Sequence, residues 1–201
     1  MKKIFLALVA VVATYTLSAQ DLRWGITGGL NFANEHLAKG NSSDCYIGFN
    51  LGAKAELDLS YDIAEGFYAD ARALYTLKGG QWRGAHNNLG YIELPLNFGY
   101  RFKLSQEVSL FAGLGPYFAL GVIGNNVIEE GDTKLKTDLF GESYKRFDWG
   151  LNYNVGVELK GHWQCFLGFE HSLMNAAKSS PEGDEVKVRP LNFYIGAAYM
   201  F

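Results

Sequence analysis

Residues 91–102 read YIELPLNFGYRF, a stretch in which two classes of side chain alternate with a period of two. The apolar class comprises Ile92, Leu94, Leu96, Phe98, Tyr100 and Phe102. The polar or small class between them comprises Tyr91, Glu93, Pro95, Asn97, Gly99 and Arg101. Because successive side chains of a β-strand point to opposite faces, this stretch is predicted to be a strand with one apolar and one polar face.

Seven other stretches of the chain show the same alternation. They cover residues 22–32, 47–59, 67–78, 110–122, 148–159, 163–170 and 191–201. In the stretch 110–122 four positions of the second face are small, namely Gly113, Gly115, Ala119 and Gly121. A tilted strand of about 9–11 residues crosses a bilayer. The sequence therefore predicts eight strands of roughly membrane-spanning length.

The distribution of charge over the two faces indicates which face meets lipid. Charges of both signs share a face with glycine and asparagine, whereas the opposite face is apolar. A soluble lipocalin-like barrel would place apolar residues inside and charges outside, so the charged face here is predicted to line a lumen. Spanning strands must pair all their backbone groups, which requires a closed barrel. We therefore predict an all-β fold, an eight-stranded antiparallel transmembrane β-barrel.

Composition agrees with this class of fold. Aromatic residues make up 15% of the chain, and glycine is abundant with 24 residues. The mean hydropathy of −0.05 does not fit a bundle of membrane helices. The formal net charge of −3, with no basic face, argues against nucleic acid as a partner.

The predicted connections alternate between short and long. The short ones lie near residues 60–65, 105–107 and 160–162, and the long polar ones cover residues 33–44, 79–88, 123–146 and 174–189. Short periplasmic turns and long external loops are typical of outer-membrane barrels. We therefore expect an outer-membrane protein with both termini in the periplasm.

The first twenty residues are expected to be removed before folding. Lys2 and Lys3 precede an uncharged apolar stretch, residues 4–13, and the small-residue region 17–20 follows it. This is the three-part layout of a secretory signal peptide, and its apolar part is shorter than the ~20 residues of a spanning helix. The domain prediction is a signal peptide over residues 1–20, cleaved after Ala19 or Gln20, and a barrel domain over 21–201.

The end of the chain carries a separate signal. Gly196, Tyr199 and Phe201 belong to the last amphipathic strand, which ends on an aromatic residue. This arrangement is similar to the C-terminal signal by which the barrel-assembly machinery takes up its substrates. We expect that machinery to be a partner during biogenesis.

Three of these stretches resemble a known family. Residues 91–102, the run Leu110-Phe111-Ala112-Gly113-Leu114-Gly115-Pro116-Tyr117 and the run Phe147-Asp148-Trp149-Gly150-Leu151-Asn152 resemble strands of the PorT-like outer-membrane β-barrel family of Bacteroidota. The resemblance runs in order along nearly the whole mature chain. It implies the barrel fold, and through the family's namesake it implies a link to a protein secretion system.

Enzymatic and metal sites are not expected. Neither His36, His86, His162 nor His171 has a serine two positions away, as a lipid-cleaving barrel requires. Cys45 and Cys165 are expected at opposite membrane boundaries, too far apart for a disulfide. The acidic run 129–132 lacks the spacing of a calcium loop. We predict no catalytic residue, no cofactor and no metal.

The charges of the predicted lumen form the one notable polar group. They are Arg23, Lys54, Glu56, Asp70, Arg72, Glu93, Arg101, Asp148, Glu158 and Glu170. Because eight strands leave room for little beyond side chains, we favour a salt-bridged plug over a selective pore.

The function expected from these features is a non-enzymatic surface role carried by the external loops. The partners would be outer-membrane lipid and lipopolysaccharide, and envelope or secretion-complex proteins. A narrow channel for small solutes and an accessory barrel of a secretion complex stay open as alternatives.

Overall fold

The computed structural model describes residues 22–37, 43–82, 85–130, 133–140, 144–177 and 188–201, so the predicted signal peptide lies outside the described residues. Ten strands form in these residues. They are β1 (Leu22–Leu37), β2 (Tyr46–Asp58), β3 (Phe67–Lys78), β4 (Gln81–Trp82), β5 (Ala85–Lys103), β6 (Val108–Glu130), β7 (Thr133–Asp138), β8 (Phe147–Leu159), β9 (Trp163–Ser172) and β10 (Val188–Met200). The described residues include no helix long and apolar enough to cross a membrane.

Eight of the described strands close into a barrel. The ring runs β1-β2-β3-β5-β6-β8-β9-β10, and every neighbouring pair is antiparallel. The ring closes where β1 pairs with β10, from Gly25 opposite Met200 to Leu37 opposite Val188. We call this contact the seam. The prediction of an eight-stranded antiparallel barrel is confirmed, because closure leaves no strand of the ring with an unpaired edge.

The remaining two described strands lie in predicted loops. In β4, Gln81 pairs with His86 of β5, and β7 pairs with the far half of β6 from Asn125 opposite Asp138. The prediction of long loops over residues 33–44, 79–88 and 123–146 is therefore wrong in part, because β1, β5 and β6 also extend into them. A hairpin needs backbone pairing but no apolar face, so polar composition alone does not exclude a strand.

Most polar side chains of the ring point inward, and most of its apolar side chains point outward. On β1, for example, Trp24 and Ile26 are 57% and 59% exposed, whereas Thr27 and Asn31 are buried. A water-soluble protein of this size would expose the polar set and bury the apolar set. The observed reversal is that of a barrel whose outer wall contacts lipid.

The two ends of the barrel differ. At one end lie both ends of the described chain and the short turns 59–66, 104–107 and 160–162, and we call it the short-turn end. The turn between β8 and β9 has positive φ at both central residues, Lys160 (51°) and Gly161 (70°). Such a turn matches the right-handed twist of the strands that it joins. The opposite end, with the longer connections, is called the loop end.

Candidate functional site

The lumen is the candidate site, because its wall carries polar side chains from all eight strands of the ring. At the short-turn end, Glu56 is the centre of a group of charges that we call the short-turn cluster. Arg23 and Arg101 both donate to its Oε1, and Lys54 Nζ lies 3.2 Å from its Oε2. Glu158 Oε2 lies 3.0 Å from Arg23 and 3.3 Å from Arg101. Three cations therefore surround two carboxylates.

Arg72 occupies the middle of the lumen. Its Nε lies 3.4 Å from Oδ1 of Asp70, and its Nη2 donates to Asn152 Oδ1 at 3.0 Å. Asn97 donates to the same Asp70 oxygen at 2.9 Å, and the Asn152 amide donates to the Tyr194 hydroxyl at 2.9 Å. Asn152 thus connects β8 with β3 and β10, which are not its neighbours in the barrel wall.

Lys78 is the centre of the charges towards the loop end, which we call the loop-end cluster. Its Nζ lies 2.7 Å from Glu93 Oε2 and 2.5 Å from Glu170 Oε2. Glu170 also accepts a hydrogen bond from Asn192 at 2.9 Å. Both glutamates are almost fully buried, and Lys78 is the one cation within 4 Å of either in the described part of the chain.

Asp148 is held without a cation among the described residues. Tyr117 donates its hydroxyl to Oδ2 at 2.9 Å, and Ser172 donates to Oδ1 at 2.5 Å. Ser172 thus points into the lumen, whereas its neighbour His171 lies on the outer face. The two side chains cannot act together as a catalytic pair.

The structure places all ten predicted lumen charges on inward-facing positions but divides them between clusters. Glu93 and Arg101 share a strand face yet lie in different clusters. The predicted list of lumen charges omitted Lys78 and Glu35. Lys78 continues the inward alternation of β3, so its position in the strand was the signal that could have found it. Glu35 lies in a predicted loop.

Residues from the long connections cover the loop end of the lumen. Leu139, Phe140, Tyr144, Ala176 and Ala177 are buried there, and we call this group the cap. The Phe140 ring packs edge-on against Tyr91, with 5.6 Å between the ring centroids. A Cβ at Gly121 or Gly124 would overlap the Phe140 ring. The small inner face of β6 thus makes room for the cap.

Glu35 anchors the cap to the barrel wall. The Tyr144 hydroxyl donates to Glu35 Oε2 at 2.8 Å, and the backbone NH of Glu35 donates to Ser43 Oγ. Outward-facing residues of β1 change from apolar to polar after Phe32, so Glu35 lies beyond the apolar belt. Burial raises the pKa of Glu35 from 4.5 to about 7, although its hydrogen bonds oppose the rise.

Little space remains beneath the cap. A cavity of about 10 Å³ is lined by Glu35, Lys78, Tyr91 and Asp148 among other residues. This is about the volume that one water molecule requires. The space beneath the cap is therefore filled with side chains. A larger space of about 640 Å³ is lined mainly by outward-facing apolar residues of β2, β3 and β5, such as Ala53, Ala71 and Leu96, so the plug is favoured over an open pore.

The predicted assembly-signal residues lie beside the seam. Phe201 is exposed, and its backbone NH donates to Trp24 O at 2.7 Å. The Tyr199 ring packs against Trp163 and Phe201, with centroids 4.8 Å and 5.6 Å away. Gly196 faces the lumen instead, where a Cβ would meet the Phe166 ring. The two aromatic residues share the outer face at the short-turn end.

Three further candidate sites are the metal ligands, the two cysteines and the acidic run 129–132. No group of three or more His, Cys, Asp or Glu side chains could hold a metal ion there. Cys45 and Cys165 are both free and exposed. The side chains of the acidic run 129–132 lie outside the described part of the chain.

The chain is similar to solved outer-membrane barrels. Ail, the attachment invasion locus protein of Yersinia pestis, solved with the heparin analogue sucrose octasulfate, is 16% identical, with a TM-score of 0.48 over 90% of this chain and 100% of that chain. The neisserial surface protein NspA is 16% identical, with a TM-score of 0.46 over 89% of this chain and 97% of that chain. OprG of Pseudomonas aeruginosa is 13% identical, with a TM-score of 0.47 over 89% of this chain and 95% of that chain. At such values these likenesses say nothing of function.

No curated protein matches the chain. A family model does match, the "Outer membrane protein beta-barrel domain", and the match covers residues 4–201. The PorT-like subgroup suggested by residues 91–102 is a finer assignment than this match supplies. The closed barrel, its apolar outer wall and the family match agree. This protein therefore belongs to the outer membrane protein beta-barrel domain family, which is located in the bacterial outer membrane.

Proposed function

We propose that this protein is a non-enzymatic outer-membrane barrel with a closed lumen that acts through its loop-end surface. The observation that carries the proposal is the combination of a filled lumen and a cap. The short-turn and loop-end clusters occupy the interior, and only about 10 Å³ is free beside Lys78 and Glu35. A solute path along the barrel axis would have to displace both clusters.

Energetics support a structural role for these charges. Removing one partner of a buried ion pair leaves an uncompensated charge, which costs about 3–5 kcal/mol. In a water-filled pore the solvent would screen the same charge, and the cost would be small. The stability of a variant therefore distinguishes a plug from a pore.

The test combines conductance with stability for Arg72, which is 4% exposed in the middle of the lumen. In planar bilayers the wild type and Arg72→Gln are both expected to conduct near background, while the variant melts at a lower temperature. Lys103→Gln, at a lysine 69% exposed at the short-turn end, serves as the control and should change neither quantity. A stable wild-type conductance whose ion preference moves in Arg72→Gln would overturn the proposal in favour of a narrow channel.

The orientation is part of the proposal. The short-turn end, with both termini, would face the periplasm, and the loop end would face outward. Cleavage of residues 1–20 and recognition of Tyr199 and Phe201 by the barrel-assembly machinery complete this biogenesis. A thiol reagent that does not cross membranes, added to intact cells, should label Cys45 at the loop end and leave a cysteine introduced in the turn 59–66 unlabelled. The reverse pattern would contradict the orientation.

An accessory role in an envelope or secretion complex is the second candidate. The PorT-like resemblance suggests it, and the short-turn end offers exposed apolar side chains: Tyr61 is 93% exposed, Ile63 57% and Leu104 54%. A periplasmic partner could cover them. Co-purification of a stoichiometric partner from native membranes, lost in Tyr61→Ser/Ile63→Ser, would support this role. Purification of the barrel alone would count against it.

A further inference from the structure

Three basic side chains lie on the outer face of three adjacent strands at the loop end. His36 of β1 lies directly opposite Arg189 of β10, and His171 of β9 lies opposite Leu191, two residues from Arg189. Facing residues of neighbouring strands have Cβ atoms about 4.5–5.5 Å apart, and diagonal neighbours are about 7–8 Å apart. The three side chains, which we call the basic row, can therefore reach one ligand.

The basic row has no partner among the described residues. In the described residues neither His36, Arg189 nor His171 makes an ion pair or a hydrogen bond. Basic groups facing each other on neighbouring strands destabilise a sheet when both are charged. By contrast, Lys145 and Arg146, also at the loop end, donate to the carbonyls of Asn175 and Gly121.

A row of aromatic rings lies two to four residues from the basic row along β1, β10 and β9, towards the middle of the barrel wall. Phe32, Phe193, Phe169 and Tyr153 are paired in register across β1, β10, β9 and β8. The centroids of Phe32 and Phe193 are 6.3 Å apart, and those of Tyr153 and Phe169 are 6.5 Å apart. Aromatic residues on the outer face mark the membrane interface of such barrels. The basic row thus begins where hydrocarbon gives way to headgroups.

From this layout we infer that His36, Arg189 and His171 bind the phosphate of a phosphorylated lipid headgroup in the leaflet at the loop end. Arginine binds phosphate through two parallel hydrogen bonds, and imidazole supplies a donor or a positive charge. The phosphate would relieve the opposition between His36 and Arg189, and the acyl chains would pack along the aromatic rings. The inference deepens the proposed surface role and rests on it for the identity of the leaflet.

The experiment measures lipid bound to the purified full chain. The probe is diphosphoryl lipid A in phosphatidylcholine vesicles, compared with dephosphorylated lipid A at the same content. The wild type should retain the phosphorylated form preferentially. Because one cation near an anionic lipid contributes about 1 kcal/mol, Arg189→Gln alone should lower retention about fivefold, and the triple variant with His36→Gln and His171→Gln should lower it further.

The matched control is Lys103→Gln/Lys160→Gln, which removes two exposed basic side chains at the short-turn end and should leave retention unchanged. Equal retention in the triple variant and the wild type would overturn the inference. So would equal binding of both lipid forms, or full competition by millimolar inorganic phosphate, which would indicate a site for free anion. Conductance and heat-modifiable migration report on the closed barrel, so failure of the lipid site is distinguishable from failure of the proposed function.

Discussion

At the scale of the residue, a few cationic side chains in the lumen each form ion pairs with more than one carboxylate. Lys78 contacts both Glu93 and Glu170, and no other cation of the described residues lies within 4 Å of them. Lys103, by contrast, forms an exposed ion pair. Its partner is Glu65 of the turn 59–66, and the two side chains are 69% and 82% exposed. The two lysines form a natural pair for comparison.

Replacing Lys78 should destabilise the barrel strongly. Lys78→Met leaves two buried carboxylates without their cation, so we expect a loss of about 3–5 kcal/mol in the free energy of unfolding. Lys103→Met should cost no more than about 1 kcal/mol, because exposed ion pairs contribute little. The measurement is urea-induced unfolding in lipid vesicles. Adding Glu93→Gln and Glu170→Gln to Lys78→Met should recover part of the loss; a variant that gains nothing would contradict the assignment.

Glu35 should make the cap sensitive to pH. Its pKa is raised to about 7 in the folded protein because it is buried, against an ordinary value of 4.5. The folded state therefore binds more protons between these values, and its stability falls as pH rises from about 4.5 to 7, then levels off. The expected loss is on the order of 3 kcal/mol.

Hydrogen exchange of residues 139–140 and 144, compared between pH 5 and pH 8, measures this effect. Between pH 5 and pH 8, amide exchange in the wild type should accelerate by more than the intrinsic pH dependence of the exchange reaction. Glu35→Gln keeps a hydrogen-bond acceptor for Tyr144 and should remove the excess. If the excess persists in Glu35→Gln, another group titrates.

At the scale of the element, the strands show what could be predicted from sequence and what could not. The alternation along 91–102 and the other stretches predicted eight strands and their inward faces, because lipid imposes one period on every wall strand. It could not predict β4 and β7, whose pairing lies beyond the apolar belt. It also could not supply partners in the lumen, since contacts such as Lys78 with Glu170 depend on strand register and stagger.

The last strand carries the proposed assembly signal, and a matched pair of phenylalanines tests it. Phe201 and Phe102 are 70% and 55% exposed on the outer face at the short-turn end, so both lose similar lipid contact when replaced by serine. Only Phe201 belongs to the predicted assembly signal. Phe201→Ser should lower the amount of assembled barrel in the outer membrane severalfold, whereas Phe102→Ser should not. The measurement is heat-modifiable migration of membrane fractions, and equal losses would mean that the tail is not recognised.

At the scale of the whole molecule, closure and plugging are two separate sources of rigidity. The ladder fixes each strand to two neighbours, and the lumen contacts connect strands on opposite sides, as Lys54 Nζ does with Gln164 Oε1 at 2.7 Å. Polar contacts across the lumen, together with the buried rings of Tyr68, Phe111 and Phe166, take the place of the apolar core of a soluble domain. The exterior is then free to be apolar, which is the condition for residence in a membrane.

The seam has a consequence for the order of folding. Its partners are the most distant in the chain, for Gly25 faces Met200, yet Phe201 and Trp24 end up hydrogen-bonded. Contacts of high sequence separation form late because a long loop must first be closed. A circular permutant that joins residue 201 to residue 22 and opens at 104–107 would make the seam a local hairpin. The β5–β6 contact, which pairs more residues than the seam, would then become the last to close, so the permutant should not refold faster into vesicles than the native order.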